Sequence, residues 1–338
     1  MKFSLNQLHV LFQSFENQKV MVIGDVMLDS YIWGHVDRIS PEAPVPVVSV
    51  EKRENRLGGA ANVGLNLKAL GAETFICSVV GKDDNGRSLR KLMKRSGLNE
   101  EGLVESMHRH TTTKFRILGN NTQMLRVDDE TTQPLDADVF QQLCRSIENI
   151  LNAHTVDVIV LQDYDKGVIS PSLIDFVVEQ AGRRNIPVTV DPKKVNFTAY
   201  HDITLMKPNL KEIREGLNLT CVDNDECLYH ATNHLLSNQN ISIVLSTLSE
   251  KGVYVRWKTK EGQKGKLIKA HVRNIADVSG AGDTVISVAS LCLAQGLGPE
   301  KTAALSNLAG GLVCEQVGVV PINKQRLLEE AIRLFKSE

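Results

Sequence analysis

VDVIVLQD (156–163) is a short, almost continuously apolar run closed by a carboxylate, and its reading decides the fold. Such a run is buried on both faces, as a strand is in a parallel sheet covered by helices. Outward from it the pattern recurs in VMVIGD (20–25), TFICSVVG (74–81), IPVTVDP (186–192), ITLMKPN (203–209) and ISIVLST (241–247). Between these runs lie segments of helical periodicity at 60–70, 86–96, 137–152, 171–184, 210–216 and 225–238. Strand and helix alternate, which predicts a doubly wound α/β sheet. Ligands of such sheets sit at the carboxyl ends of the strands.

Two stretches break the alternation. Residues 31–57 and 109–128 lack helical periodicity and read as short strands joined by turns. GNNTQ (119–123) has the chemistry of a hairpin turn. Pro41, Pro44 and Pro46 suit an edge rather than a sheet centre. Together the two segments predict a small β-appendage beside the α/β body.

The chain has 338 residues, 39 of them Lys or Arg and 40 Asp or Glu, for a formal charge of −1. That balance argues against a dedicated nucleic-acid binder, which carries a net basic surface. An apolar share of 42% excludes disorder along the whole chain. The cysteines (77, 144, 221, 227, 292 and 314) form no C-x-x-C pair and read as free thiols of a reducing compartment. No secretory signal is recognisable at the N-terminus, and no apolar stretch reaches the roughly 20 residues of a membrane span. A cytoplasmic location, without membrane or nucleic-acid partners, is expected.

Chemistry concentrates in two glycine clusters. DVSGAGDT (277–284) precedes the apolar run VISVASLCLA, so small residues lead into a long helix. The free N–H groups and the dipole at that N-terminus favour an anion. Asp283 falls in the first helical turn, where it either complements the dipole or serves as a base beside the anion site. The second cluster, LGGAAN (57–62), also opens a helix. It is either a Gly-rich turn with Asn62 near a cap, or a close backbone approach to a polar ligand. Neither is a Walker A loop.

GGAAN (58–62) and DVSGAGD (277–283), about 220 residues apart, resemble the paired signatures of the ribokinase (PfkB) family of sugar kinases, a likeness that covers nearly the whole chain. It implies a single kinase domain over 1–338, folded as a three-layer α/β sandwich with a mostly parallel central sheet and a β-sheet lid. It implies ATP and Mg²⁺, with Asp283 as base and Gly280, Ala281 and Gly282 as the anion hole. NLKE (209–212) is similar to the family's N-x-x-E motif, which places Asn209 and Glu212 near phosphate and Mg²⁺, largely through water. As a plain structural feature it is an Asn cap with a capping-box acid, and the two readings are compatible. The resemblance assigns Thr247 and Ser249 to the nucleotide phosphates and Asn307 to the neighbourhood of adenine. Asp29, Gly58, Gly59 and Asn62 fall to the sugar, with Asp163 and Lys166 as further contacts. Asp277 and Ser279 match a monovalent-cation loop, such as one for K⁺, although Ile322 replaces a polar residue there.

GDVMLDSY (24–31), RISPEAPVPVV (38–48), TTTKFRIL (111–118), DYDKG (163–167), VDPKK (190–194) and KPNLKE (207–212) resemble the heptose 7-phosphate kinase branch of that family. The implied reaction is phosphorylation of the anomeric hydroxyl of D-glycero-D-manno-heptose 7-phosphate, on the route to ADP-heptose and lipopolysaccharide core. Other family kinases, for ribose, fructose or a hexose phosphate, are the alternative, followed by a sensor without turnover. That branch is often fused to an adenylyltransferase with an H-x-G-H motif. His108 and His110 lack that context, so no adenylyltransferase domain is expected. A phosphorylated sugar requires cations. Lys114 and Arg116 share one face of a strand, near Arg38, Arg53 and Arg126, and are either solvated lid charges or phosphate contacts, with Arg116 the favoured contact. The apolar residues of the two appended segments predict a homodimer formed through the lid.

Overall fold

In the computed structural model, which describes residues 2–120, 122–221, 225–271 and 273–336, the apolar runs become a stack of parallel strands. The chain opens with α1 (Leu5–Ser14) and β1 (Lys19–Gly24), and a long hairpin follows, β2 (Val26–Ile39) with β3 (Pro46–Gly59). Next come α2 (Ala60–Ala69), β4 (Glu73–Gly81), α3 (Asp84–Arg95) and β5 (Asn99–Ser106), then a second hairpin, β6 (Thr113–Gly119) with β7 (Thr122–Asp129). The chain continues through α4 (Ala137–Ala153), β8 (Val158–Gln162), α5 (Pro171–Arg184), β9 (Val188–Asp191), β10 (Leu205–Met206), α6 (Leu210–Gly216), α7 (Asp225–Asn238) and β11 (Ile243–Thr247). It ends with β12 (Val253–Thr259), β13 (Gly262–Ile268), α8 (Ala281–Ala294), α9 (Pro299–Val313) and α10 (Lys324–Phe335).

The large sheet has the order β13-β12-β11-β10-β9-β8-β1-β4-β5, parallel from β11 to β5. At the β13 edge the pairing turns antiparallel, β12 against β11 and β13 against β12. Strand periodicity of two divides β1 between both faces. Val20 and Val22 pack with α2, α8 and α9 in one core, while Met21 and Ile23 pack with α4 and α5 in the other. The result is helix, sheet, helix, with both strand faces sealed, as the continuous apolar runs require.

A separate four-stranded sheet, ordered β3-β2-β6-β7, is the β-appendage. Its strands reach further into the body than the 31–57 segment implies. Val26, Leu28 and Leu57 are buried in the core, so the first hairpin grows directly out of β1. The proline-led strand β3 lies at an edge. The turn between β6 and β7 includes Asn121, which lies outside the described residues.

Register determines what the lid shows to each side. Asp29 pairs with Arg56 and Lys114, and Lys114 with Asp128; Tyr31 pairs with Glu54 and Arg116, and Arg116 with Arg126. These rows give one charged face. The intervening positions, Ile32, Phe115, Ile117, Leu125 and Val127, make the opposite face apolar. Leu125 is 53% exposed and Val127 44%.

One sequence expectation is corrected here. Cys221 and Cys227 form a disulfide, their Cα atoms 6.0 Å apart at the entrance to α7. Linear spacing does not reveal that closeness. The other four cysteines are free. Among the described residues no helix is long and apolar enough to cross a membrane.

Candidate active site

Helix α8 begins against the carboxyl ends of the central strands. Gly280, its N-cap, has φ +78°, and a Cβ there would lie 3.2 Å from Asn62 Nδ2. A side chain at this position would be strained and would displace Asn62. The first-turn N–H groups of Gly282 and Asp283 have no intrahelical acceptor. The Ala281 N–H, expected to join them, instead donates to the Val278 carbonyl at 3.3 Å.

Asp283 is buried in the first turn of α8, surrounded by donors. Its Oδ2 accepts from Asn62 Nδ2 at 2.6 Å, and its Oδ1 from Gln162 Nε2 at 3.1 Å and the Tyr164 hydroxyl at 2.9 Å. Burial pushes its carboxyl up to about 6, with the Asn62 hydrogen bond opposing the rise and the Asp191 charge adding to it. A carboxylate poised there can take a proton near neutral pH. Both glycine clusters of the sequence thus meet at one carboxylate.

Sequence reading missed Asp25 and Tyr164. Asp25, at the end of β1, is buried and accepts the backbone N–H groups of Tyr164, Lys166 and Val168 at 2.9, 3.2 and 3.1 Å. It clamps the DYDKG loop into a turn that aims the Tyr164 hydroxyl at Asp283. Burial, reinforced by the Asp163 charge, raises Asp25 to about 6. The only sequence signal was a carboxylate closing VMVIGD.

On the other side of Asp283 lies a cleft of about 780 Å³, lined by Lys193, Lys207, Asn209, Glu212, Thr247, Ser249, Gly280, Gly282 and Asn307 among others. The expected nucleotide residues therefore share one cavity with the anion helix. The N-x-x-E acid and amide cap α6 reciprocally, Glu212 N–H to Asn209 Oδ1 and Asn209 N–H to Glu212 Oε2, both at 2.8 Å. Glu212 also pairs with Lys193. The Lys193 ammonium beside Glu212 disfavours a second cation in direct contact, so Asn209 and Glu212 fit a hydrated Mg²⁺ reached through water. Lys193 and Lys207 were not singled out in sequence. Buried Lys207 lies 3.0 Å from Asp191, and a Cβ on Gly282 would stand 3.5 Å from its ammonium. Burial opposes the Asp191 charge, yet Lys207 and Lys193 hold its carboxyl below the usual range.

Among the described residues, the lid charges lie outside that cleft. Asp29 is buried and ion-paired with Arg116. Both Arg116 and Arg56 lie over the Tyr31 ring, 5.3 and 4.9 Å from its centroid. Arg56, unremarked in sequence, also reaches the loop beside α8, since a Cβ on Gly318 would meet its guanidinium at 2.7 Å. Lys114 and Lys166 converge on Glu130, at 3.8 and 2.8 Å. Arg53 pairs in register with Ile32, on the face away from these charges.

Asp163 does not reach the cleft. It is fully buried, accepting from the Asp165 N–H at 2.8 Å, Asn196 at 3.0 Å and the Tyr200 hydroxyl at 2.7 Å. The segment after β9 folds over the strand end and consumes the carboxylate, so the expected sugar contact is corrected to a structural one. At the cation loop, Asp277 accepts the N–H groups of Ser279 and Gly318 at 2.9 and 3.0 Å. Ile322 is buried, and its side chain offers no ligand atom.

These features meet in a known pattern, for residues 17–326 match the model of the pfkB family carbohydrate kinases. The chain belongs to that family. It is a phosphotransferase that acts on a sugar hydroxyl, and the family implies ATP and Mg²⁺. The chain is 39% identical over 322 residues to a Koribacter versatilis protein named bifunctional protein HldE, covering 95% of this chain and 64% of the relative. It is 40% identical over 311 residues to the protein of that name from Methylobacillus flagellatus, covering 92% and 62%. The chain thus spans somewhat less than two thirds of these relatives. Among solved structures, phosphofructokinase-2 from Escherichia coli in complex with potassium superposes with TM-score 0.75 at 18% identity, covering 93% of this chain and 98% of that one. Arabidopsis thaliana ribokinase complexed with ribose and ATP gives 0.70 at 16%, covering 92% and 99%. These confirm the ribokinase-like fold.

Proposed function

We propose that this kinase transfers the γ-phosphate of ATP to the anomeric hydroxyl of a heptose 7-phosphate. The observation that carries the chemistry is the buried Asp283 carboxylate, which lines the cleft beside the free N–H groups of α8 and is held by Asn62. The sugar hydroxyl loses its proton to Asp283 as its oxygen bonds to the γ-phosphorus, and the bond to the bridging oxygen breaks to leave ADP. The Gly282 and Asp283 N–H groups, with Lys207, take up charge on the transferring phosphoryl group. When bound, Mg²⁺ neutralises triphosphate charge next to Asn209 and Glu212. A monovalent cation beside Asp277 and Ser279 belongs to the same proposal, and no step depends on it.

For the substrate, the support is the charged lid face, where Arg56, Lys114, Arg116 and Arg126 occupy adjoining register positions. Asp29, Gly58, Gly59 and Asn62 are assigned to the sugar hydroxyls, and Lys166 to the lid-side cations. The likeness to the HldE-named relatives over nearly the whole chain favours a heptose over ribose or fructose. The apolar lid face supports a homodimer. ADP release measured with heptose 7-phosphate, heptose, fructose 6-phosphate and ribose is the test. Preference for an unphosphorylated sugar would overturn the substrate.

A further inference from the structure

The two oxygens of Asp283 are not equivalent. Oδ1 accepts two hydrogen bonds, from Gln162 and Tyr164, whereas Oδ2 accepts one, from Asn62. A carboxylate oxygen has about two lone-pair sites, so Oδ1 is saturated and Oδ2 retains one. We infer that Tyr164 is a positioning residue that makes Oδ2 the proton-accepting atom and keeps Asp283 ionised at working pH, an inference that rests on Asp283 being the base.

Three further observations fit this role. Asp25 fixes the Tyr164 backbone, so the hydroxyl is held from the loop as well as from the ring. The Lys193 ammonium lies 5.4 Å from the centroid of that ring, a contact that reaches towards Glu212 on the nucleotide side. Burial, followed by the nearby Asp283 and Asp191 charges, holds the phenol well above its usual range. Tyr164 therefore stays a neutral donor throughout. The step balances without it: the sugar proton passes to Oδ2, and Tyr164 keeps its own.

The sign of the effect follows from the groups around Asp283. Burial and the Asp191 charge from β9 oppose the charged form, while Asn62 from α2, Gln162 from β8, Tyr164, Lys207 and the Lys193 charge favour it. Removing the phenol hydroxyl removes one donor to the charge, so the carboxyl must titrate at higher pH.

The test is the pH profile of kcat/KM for Tyr164→Phe and for the full chain carrying 3-fluorotyrosine at position 164, a stronger donor. The acidic limb should move up by about one pH unit in the first and down in the second. The high-pH plateau of kcat should fall roughly tenfold in Tyr164→Phe with KM for ATP unchanged. A limb that stays in place in both, whether or not the plateau falls, overturns the inference and leaves Tyr164 as packing. Asp283→Asn separates the two claims. If that variant turns over normally, the base assignment fails first; if it is inactive while the limb does not move, only the role of Tyr164 fails.

Discussion

Asn62 donates to Asp283 at 2.6 Å across 221 residues of sequence, joining the two glycine-led helices at their N-terminal ends. Asp283→Asn preserves the size of the side chain but removes the base. Turnover should fall by roughly 10²–10⁴-fold, with ATP affinity largely kept. Steady-state rates together with nucleotide titration check this, and near-normal turnover in the folded variant would remove Asp283 from the reaction.

The same substitution has a signature in stability. Asp283 is raised in the folded protein from 3.8 to about 6. A raised carboxyl contributes stability that is fully present below its unfolded value and lost as pH climbs through its folded value. The shift of about two units corresponds to ~3 kcal/mol at most. Asp283→Asn lacks this loss, so its melting temperature relative to the wild type should rise between pH 4 and pH 7. Parallel melting curves across that range would refute the buried-charge account.

Arg116 stands between Asp29 and the aromatic face of Tyr31. A charge-assisted phosphate contact is worth about 1.5–3 kcal/mol, so Arg116→Ala should weaken heptose 7-phosphate by roughly 10–150-fold. Unphosphorylated heptose should suffer much less, and ATP affinity without sugar should barely move. Equal losses for both sugars would mean that Arg116 serves Asp29 rather than the phosphate.

Gly58 leaves room for Asp29, since a Cβ there would stand 2.5 Å from Asp29 Oδ2. Gly58→Ala must push that carboxylate aside. Sugar KM should rise at least tenfold while ATP affinity is retained, at a stability cost of about 1–3 kcal/mol. Paired calorimetric titrations with sugar and nucleotide distinguish this from general unfolding.

The apolar lid face should bring two copies together. Sedimentation at micromolar concentration is expected to show a dimer, and Leu125→Glu with Val127→Glu to show a monomer, because two charges would be desolvated at the contact. A wild-type chain that sediments only as a monomer would count against the lid contact.

The layers were legible because burial on both strand faces leaves no polar alternation. Runs such as VMVIGD could only be central strands, and the Ser-Pro start at 170–171 opens a helix where Ser170 caps and Pro171 takes the first position. The hairpin β12–β13 escaped notice, since RWKTKEGQKGK is polar almost throughout and lacks the apolar run that marks the central strands. At the site, glycine clusters revealed the backbone positions, because a helix N-terminus carries its own signal. Tyr164 carries none, and Asp25 only that of a carboxylate at a strand end. Their roles arise when the DYDKG loop turns back over β1, a long-range closure without a local pattern. Asp163 misled for the mirrored reason: its position at a strand end is ordinary for a ligand contact, and the Asn196 and Tyr200 that engage it come from more than 30 residues away.

Gly59 ends β3 and Ala60 begins α2 with no residue between them, just as Asp25 alone separates β1 from β2. The Asp25 carbonyl, moreover, accepts the Ala60 N–H at 2.9 Å, tying the two junctions together. The lid is thus built as a lever with a short arm inside the body. Torque applied to its charged face is delivered through covalent bonds to the first turn of α2, where Asn62 sits, with no slack segment to absorb it.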